Sequence, residues 1–179
     1  MKSNAAELNK ALYYICSLLL ENLPENSWFI GYGTLLGMVR SGSCIDGDDD
    51  IDIIVDIKQR KVLRDILTSE GLKLWYDKPN LLKTHPTEEY VTMDFYMSNV
   101  KEVVKNDEDM CSVITNFNDT WEKCVWSNVY PLERKEWKDI IINMPKDSRV
   151  KLERRYGNDW QTPIAGKKKP SGKQKPRVV

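Results

Sequence analysis

Five carboxylates crowd into seven residues at Asp46-Gly47-Asp48-Asp49-Asp50-Ile51-Asp52. Like charges this close repel and cost stability, so the run needs either a counter-ion or a solvated loop. Its flank points to the first. From Asp50 the chain reads Asp-Ile-Asp-Ile and continues Ile-Val-Asp-Ile, the period-two alternation of a strand. Successive strand side chains face opposite ways. Asp50 and Asp52 therefore share a face with Ile54 and Asp56, while Ile51, Ile53, Val55 and Ile57 form a core face. An apolar face that must be buried fixes the register and so aims both carboxylates. Two rigid neighbouring oxygen ligands, with Asp48 close by, suit a hard cation such as Mg²⁺ or Mn²⁺. Asp56 lies two residues further along the strand, too far for direct ligation.

Rival readings fit less well. An EF-hand loop starting at Asp46 needs Gly at its sixth position and Glu at its twelfth, where this chain has Ile51 and Ile57. The DDxxD pattern of isoprenoid synthases belongs on a long helix, which the alternation opposes. A solvated acidic run is common, but the element just upstream weighs against it. Ser27 to Tyr32 reads as a short strand ending at Gly33-Thr34, followed by a short helix to Arg40. Gly33 permits a tight turn and a close ligand. Thr34 sits where an N-cap is expected, and a helix start offers N–H groups to a phosphate. Arg40 adds a possible cationic clamp.

The elements that must hold these groups are also legible. Asn4 to Leu23 has the helical period, with Pro24 just beyond. Ser41-Gly42-Ser43 breaks the helix that follows Thr34. Gln59 to Ser69 reads as a helix stopped by Gly71. Strands are expected at Leu72 to Tyr76, Asn80 to Thr84 and Tyr90 to Met97. Further on the signals weaken: a polar break at Asn106 to Asp109, a helix at Trp121 to Trp126, one strand at Trp137 to Asn143, and a last helix from Asp147 or Ser148 to about Tyr156. Trp28, Tyr32, Trp75 and Tyr76 are assigned to the core, and His85 to the surface. Asp159 and Trp160 are expected to tie the last helix to the body. Mixed strands and helices indicate α/β or α+β rather than all-β.

Composition bounds the rest. The chain has 179 residues and is 41% hydrophobic, which favours one domain with a real core. Net charge is zero, yet residues 167–179 hold six basic and no acidic residues, leaving 21 basic against 27 acidic in the body. A body of that sign suits no nucleic acid backbone. The segment 166–179 has little to bury and reads as a disordered basic tail; binding to an anionic membrane is the lesser expectation for it. Cys16, Cys44, Cys111 and Cys124 lack zinc or redox spacing and read as free thiols. No signal peptide or membrane span is evident, so a cytoplasmic location is expected.

Gly33-Thr34, a helix, then Asp50-Ile51-Asp52-Ile53 resembles the nucleotidyltransferase superfamily typified by DNA polymerase β. The fuller match, Gly33-Thr34-Leu35-Leu36-Gly37-Met38-Val39-Arg40 followed by Asp48-Asp49-Asp50-Ile51-Asp52-Ile53, resembles the LicD family, which includes fukutin and the fukutin-related protein. Pro131-Leu132 and Tyr156-Gly157-Asn158-Asp159-Trp160 with Pro163 support it, so the likeness runs from Ser27 to Pro163. It implies an α+β nucleotidyltransferase-like domain over residues 1–165, with a mixed sheet packed against helices. It also implies a third carboxylate on a later strand, for which Asp94 in Val91-Thr92-Met93-Asp94-Phe95-Tyr96 fits. By this resemblance Asp50, Asp52 and Asp94 are catalytic, the metal ligands are Asp48, Asp50, Asp52 and Asp94, and Gly33, Thr34 and Arg40 bind substrate. The implied reaction moves a phospho-alcohol, of the phosphocholine or polyol phosphate type, from a CDP-linked donor to a sugar hydroxyl of a glycan and releases CMP. Nucleotidyl transfer from an NTP to a small hydroxylated acceptor, or silent nucleotide or glycan binding, are the alternatives. One departure is Ile45-Asp46-Gly47, where the family pattern carries a bulky aromatic.

Overall fold

A computed structural model of the chain describes residues 3–103, 108–117, 120–163 and 177–178. Helix α1 (Ala5–Asn22) is opened by a reciprocal cap. Asn4 Oδ1 accepts from the Glu7 N–H at 2.9 Å, and Glu7 Oε2 accepts from the Asn4 N–H at 3.0 Å. Such caps contribute about 1 kcal/mol. The helix buries Leu8, Ala11, Leu12, Ile15, Cys16 and Leu19. Strand β1 (Trp28–Ile30) runs antiparallel to β2 (Asp50–Asp56), with α2 (Tyr32–Ser41) between them in sequence. Helix α3 (Arg60–Ser69) ends where expected: Gly71, at φ +75°, donates to Thr68 O, and Leu72 N–H reaches back to Leu67 O, a Schellman stop. Strands β3 (Leu74–Lys78), β4 (Leu81–Thr84) and β5 (Thr92–Val103) follow.

Strands β1 to β7 and β10 form one mixed sheet, with β6 (Glu108–Phe117), β7 (Thr120–Ser127) and β10 (Arg177–Val178) extending it. Strands β2 and β5 are parallel neighbours. The antiparallel strand β4 pairs with the start of β5, and β3 with β4. A separate hairpin, β8 (Glu133–Trp137) and β9 (Ile140–Met144), precedes α4 (Ser148–Tyr156). The fold is α+β, a mixed sheet packed against helices, as the sequence implies. Among the described residues no helix is long and apolar enough to cross a membrane.

Four local readings need correction. The cap of α2 is Gly31, not Thr34. A Cβ at Gly31 would lie 2.8 Å from Ile54 Cδ1, so any larger residue here would have to displace that side chain, and Thr34 uses its hydroxyl elsewhere. Trp121 to Trp126 is part of β7, because β6 supplies an edge for it. Glu108 and Asp109 open β6 rather than belonging to a polar break, and residues 106–107 lie outside the described residues. Trp137 to Asn143 is not one strand: Lys138, at φ +55°, and Asp139 turn the chain into a hairpin without a glycine to announce it. Of the expected basic tail, Arg177–Val178 pair in parallel with Cys124–Val125; the rest falls outside the described residues. Cys16 and Cys44 are free and buried.

Helix α2 is clamped along its length. Lys135 Nζ and Trp137 Nε1 donate to Met38 O and Gly42 O at 2.8 and 2.9 Å; the first joins the Gly42 N–H on the Met38 carbonyl, and the second satisfies a carbonyl just past the helix end. On another side the returning loop lies against the helix backbone. A Cβ at Gly37 would sit 2.5 Å from Ser43 O and 3.1 Å from both Cys44 Cα and Ile45 N. Those are main-chain atoms, so they cannot swing away. Gly37→Val is expected to lower unfolding free energy by about 2 kcal/mol, the scale of overpacking, in urea denaturation monitored by tryptophan fluorescence.

Candidate metal and transfer site

The register of the sheet assembles the acidic side chains. In the parallel pair β2/β5, Asp52 lies opposite Asp94 and Asp50 opposite Thr92. Carboxylate oxygens of Asp50, Asp52 and Asp94 all lie within 4.8 Å of one another. Asp48, Asp49 and Asp50 form a second group of the same kind, of which Asp49 is exposed and was not singled out from the sequence. Asp52 and Asp94 are buried, Asp94 completely.

Gly33 and Thr34 brace Asp52. The Gly33 N–H donates to Asp52 Oδ2 at 3.0 Å, and the Asp52 N–H donates to Thr34 Oγ at 2.9 Å. Thr34 is itself buried. Their polar groups thus position a carboxylate rather than facing an open cleft. A Cβ at Gly33 would lie 2.5 Å from Asp48 Oδ2 and 3.5 Å from Asp52 Oδ2, so glycine admits both acids to the start of α2. The structure does not join Arg40 to this group. It sits in the last turn of α2, seven residues or about 10 Å along the axis from Gly33, and forms no hydrogen bond or ion pair among the described residues. A cleft lined by Val39, Lys135, Ser148 and Arg149 lies at that far end and contains none of the acidic cluster. Asp56 turns away to cap the next turn, accepting from the Lys58 N–H at 3.0 Å.

Sequence reasoning missed Lys83. It pairs directly with Asp94 across β4/β5, and its Nζ contacts Asp94 Oδ2. Both are buried. Tyr96 OH donates to the same oxygen at 3.5 Å. Asp94 Oδ1, by contrast, is buried with no hydrogen-bond partner. A buried orphan carboxylate oxygen is costly, and here it belongs to a trio of converging acids. These residues fit a divalent cation. No sequence signal could reveal Lys83, because the pairing depends on how β4 docks on β5.

The electrostatics agree. Burial, then the charges of Asp52, Asp94, Asp49 and Asp48, push the Asp50 carboxyl up to about 9. Burial likewise raises Asp94, with the Lys83 charge and hydrogen bond pulling it back. A carboxyl raised in the folded state stabilises below its unfolded value near 3.8, and the benefit is lost as pH rises towards the folded value. The metal-free protein is therefore expected to lose thermal stability as pH climbs from about 4 towards 9. Added Mg²⁺ or Mn²⁺, binding the folded state alone, opposes that loss. Differential scanning fluorimetry across pH, with chelator or cation, checks it; a melting temperature indifferent to cation at high pH contradicts the site.

Above the α2 start, Tyr32 (φ +44°) packs against Tyr96 and Trp126, with ring centroids 4.8 and 5.5 Å away. The Arg155 guanidinium lies 4.4 Å over the Tyr32 ring, a cation–π stack that ties α4 to the site. Trp28 and Tyr32 are buried, as read from the sequence, and Trp160 is too. Trp75 is not: it is 50% exposed.

The acidic trio lies on adjacent strands, braced by the first turn of a helix, in a fold of the nucleotidyltransferase type. The chain is similar in fold to a crystal structure of the lincosamide antibiotic adenylyltransferase LnuA bound to lincomycin, at 18% identity and a TM-score of 0.56, covering 85% of this chain and 86% of that one. No curated protein matches. The family model described as LicD/FKTN/FKRP, nucleotidyltransferase domain, matches residues 25–153. The chain belongs to the LicD family.

Proposed function

We propose that this chain transfers a phospho-alcohol from a CDP-linked donor to a sugar hydroxyl of a glycan, with release of CMP and dependence on Mg²⁺ or Mn²⁺. The observation that carries the reading is the convergence of Asp50, Asp52 and Asp94 within 4.8 Å, one oxygen of Asp94 being buried and unpartnered, in a chain of the LicD family. Asp50, Asp52 and Asp94, with Asp48 beside them, would hold the cation, which supplies charge neutralisation on the donor phosphates. Gly33 and Thr34 hold Asp52 in place. The acceptor oxygen bonds to the phosphorus that carries the alcohol, and the bond from that phosphorus to the CMP oxygen breaks. Asp94 completes the cation site or takes the acceptor hydroxyl proton.

The test is product analysis with CDP-choline, CDP-ribitol and the four NTPs, each with sugar acceptors and Mg²⁺ or Mn²⁺. CMP release with a new phosphodiester on the sugar is the expected result. Pyrophosphate release from an NTP would replace this reading with nucleotidyl transfer, and neither product under any condition would leave a binding role.

A further inference from the structure

We propose that Trp75, delivered by a bulge in β3, is the stacking platform for the acceptor's sugar ring. The inference deepens the transfer reading above and rests on it for the acceptor's chemistry. Three observations carry it.

The first is register. Asp52 lies opposite Asp94, Asp94 opposite Lys83, and Lys83 opposite Tyr76. Directly opposed residues share a sheet face, so one row of side chains crosses four strands from the acidic trio to β3. The second is the irregularity. The β3/β4 pairing shifts between Leu74 and Tyr76, leaving Trp75 as the extra residue. Bulges re-aim a side chain and recur beside active sites. Here the Trp75 ring ends 5.8 Å from Lys83 Nζ, edge-on to Tyr76 at 6.0 Å and 6.5 Å from the His85 ring. It is nonetheless half exposed, the most exposed large hydrophobic side chain among the described residues. A tryptophan with one flank fixed and one open offers a flat apolar surface that costs little ordering. The apolar face of a pyranose is its chemical complement.

The third is direction. Phosphoryl transfer places attacking and leaving oxygens roughly in line on opposite sides of the phosphorus. The start of α2, with its positive dipole end, follows β1 in the chain and donates its Gly33 N–H to Asp52 on β2. That side of the trio suits the anionic leaving CMP. The acceptor then enters from the other side, where β5 gives way to β4 and β3. Lys83 and Trp75 are what it meets there.

The experiment has two arms. In the first, Trp75→Ala and Trp75→Phe are compared with wild type in the CMP-release assay, with Val62→Ala, an exposed apolar change on α3, as control. Trp75→Ala is expected to raise KM for the acceptor about tenfold while KM for the donor moves less than twofold, and Trp75→Phe to recover most of the loss. In the second, methyl glycosides of glucose, galactose and their 2-acetamido counterparts are titrated into indole-¹⁵N-labelled protein. The Trp75 signal, assigned by its absence in Trp75→Phe, is expected to shift for at least one of them. A Trp75 signal unmoved by every glycoside overturns the proposal, as does an effect on donor KM alone, which would mark a base-stacking residue. If the signal shifts but no CDP donor is turned over, the transfer reading fails and the sugar platform stands. If CMP is released and acceptor KM ignores Trp75, the reverse holds.

Discussion

Asp52→Asn lowers transfer at least about a hundredfold, the usual minimum for loss of a group that stabilises transition-state charge, yet leaves the metal-free protein as stable as wild type or more so. The two halves of that result come from the same geometry. Asp52 is buried, faces Asp94 across the parallel pair and stands within 4.8 Å of Asp50 and Asp94. Its charge is one of the largest contributors to the rise of Asp50, so removing it relieves repulsion in the empty cluster. Asparagine keeps the shape and an oxygen for the Gly33 N–H. What it loses is the anionic ligand. Steady-state rates at saturating cation, set beside urea unfolding in chelator, separate this outcome from simple misfolding. Unchanged turnover would sink the assignment.

Lys83→Met should have the largest effect on stability. Breaking one side of a buried ion pair costs about 3–5 kcal/mol, because the surviving charge is left without a partner. The pair here is more buried than any other ion pair among the described residues, with Asp94 at 0% exposure. Proton uptake gives the variant one escape. Burial already raises Asp94, and Lys83 is the first influence opposing it. Without Lys83 the carboxyl rises further, so the deficit shrinks as pH falls towards the unfolded carboxylate value and grows as pH rises above it. Chemical denaturation at pH 5 and pH 8 tests the sign. A pH-independent deficit would point to lost packing of the lysine stem instead.

How far the sequence carried this depends on whether a feature is local. The extent of α1, the Gly71 stop of α3 and the alternation of β2 are written in neighbouring residues, and they are where they were expected. Asp94 was legible too, by resemblance and by parity on its strand. Long-range partners were not. Strand β7 looked helical because the β6 edge that claims it was invisible. Lys83 was passed over because only strand docking sets it against Asp94. Trp75 was assigned to the core because a bulge cannot be read from an aromatic pair. Thr34 had the right residue type for a cap, but its hydroxyl serves the strand behind it.

The Lys83–Asp94 pair also favours the observed register of β4 on β5 over its neighbours. If β4 slipped by one residue, Leu82 or Thr84 would take the place of Lys83 opposite Asp94, and the ammonium group would turn to the other face of the sheet. The misaligned hairpin would then trap a carboxylate against a neutral neighbour, at the energetic level of a broken buried pair. Charge on the four-residue strand β4, held between β3 and β5, thus discriminates the correct alignment from its nearest competitors before any substrate arrives.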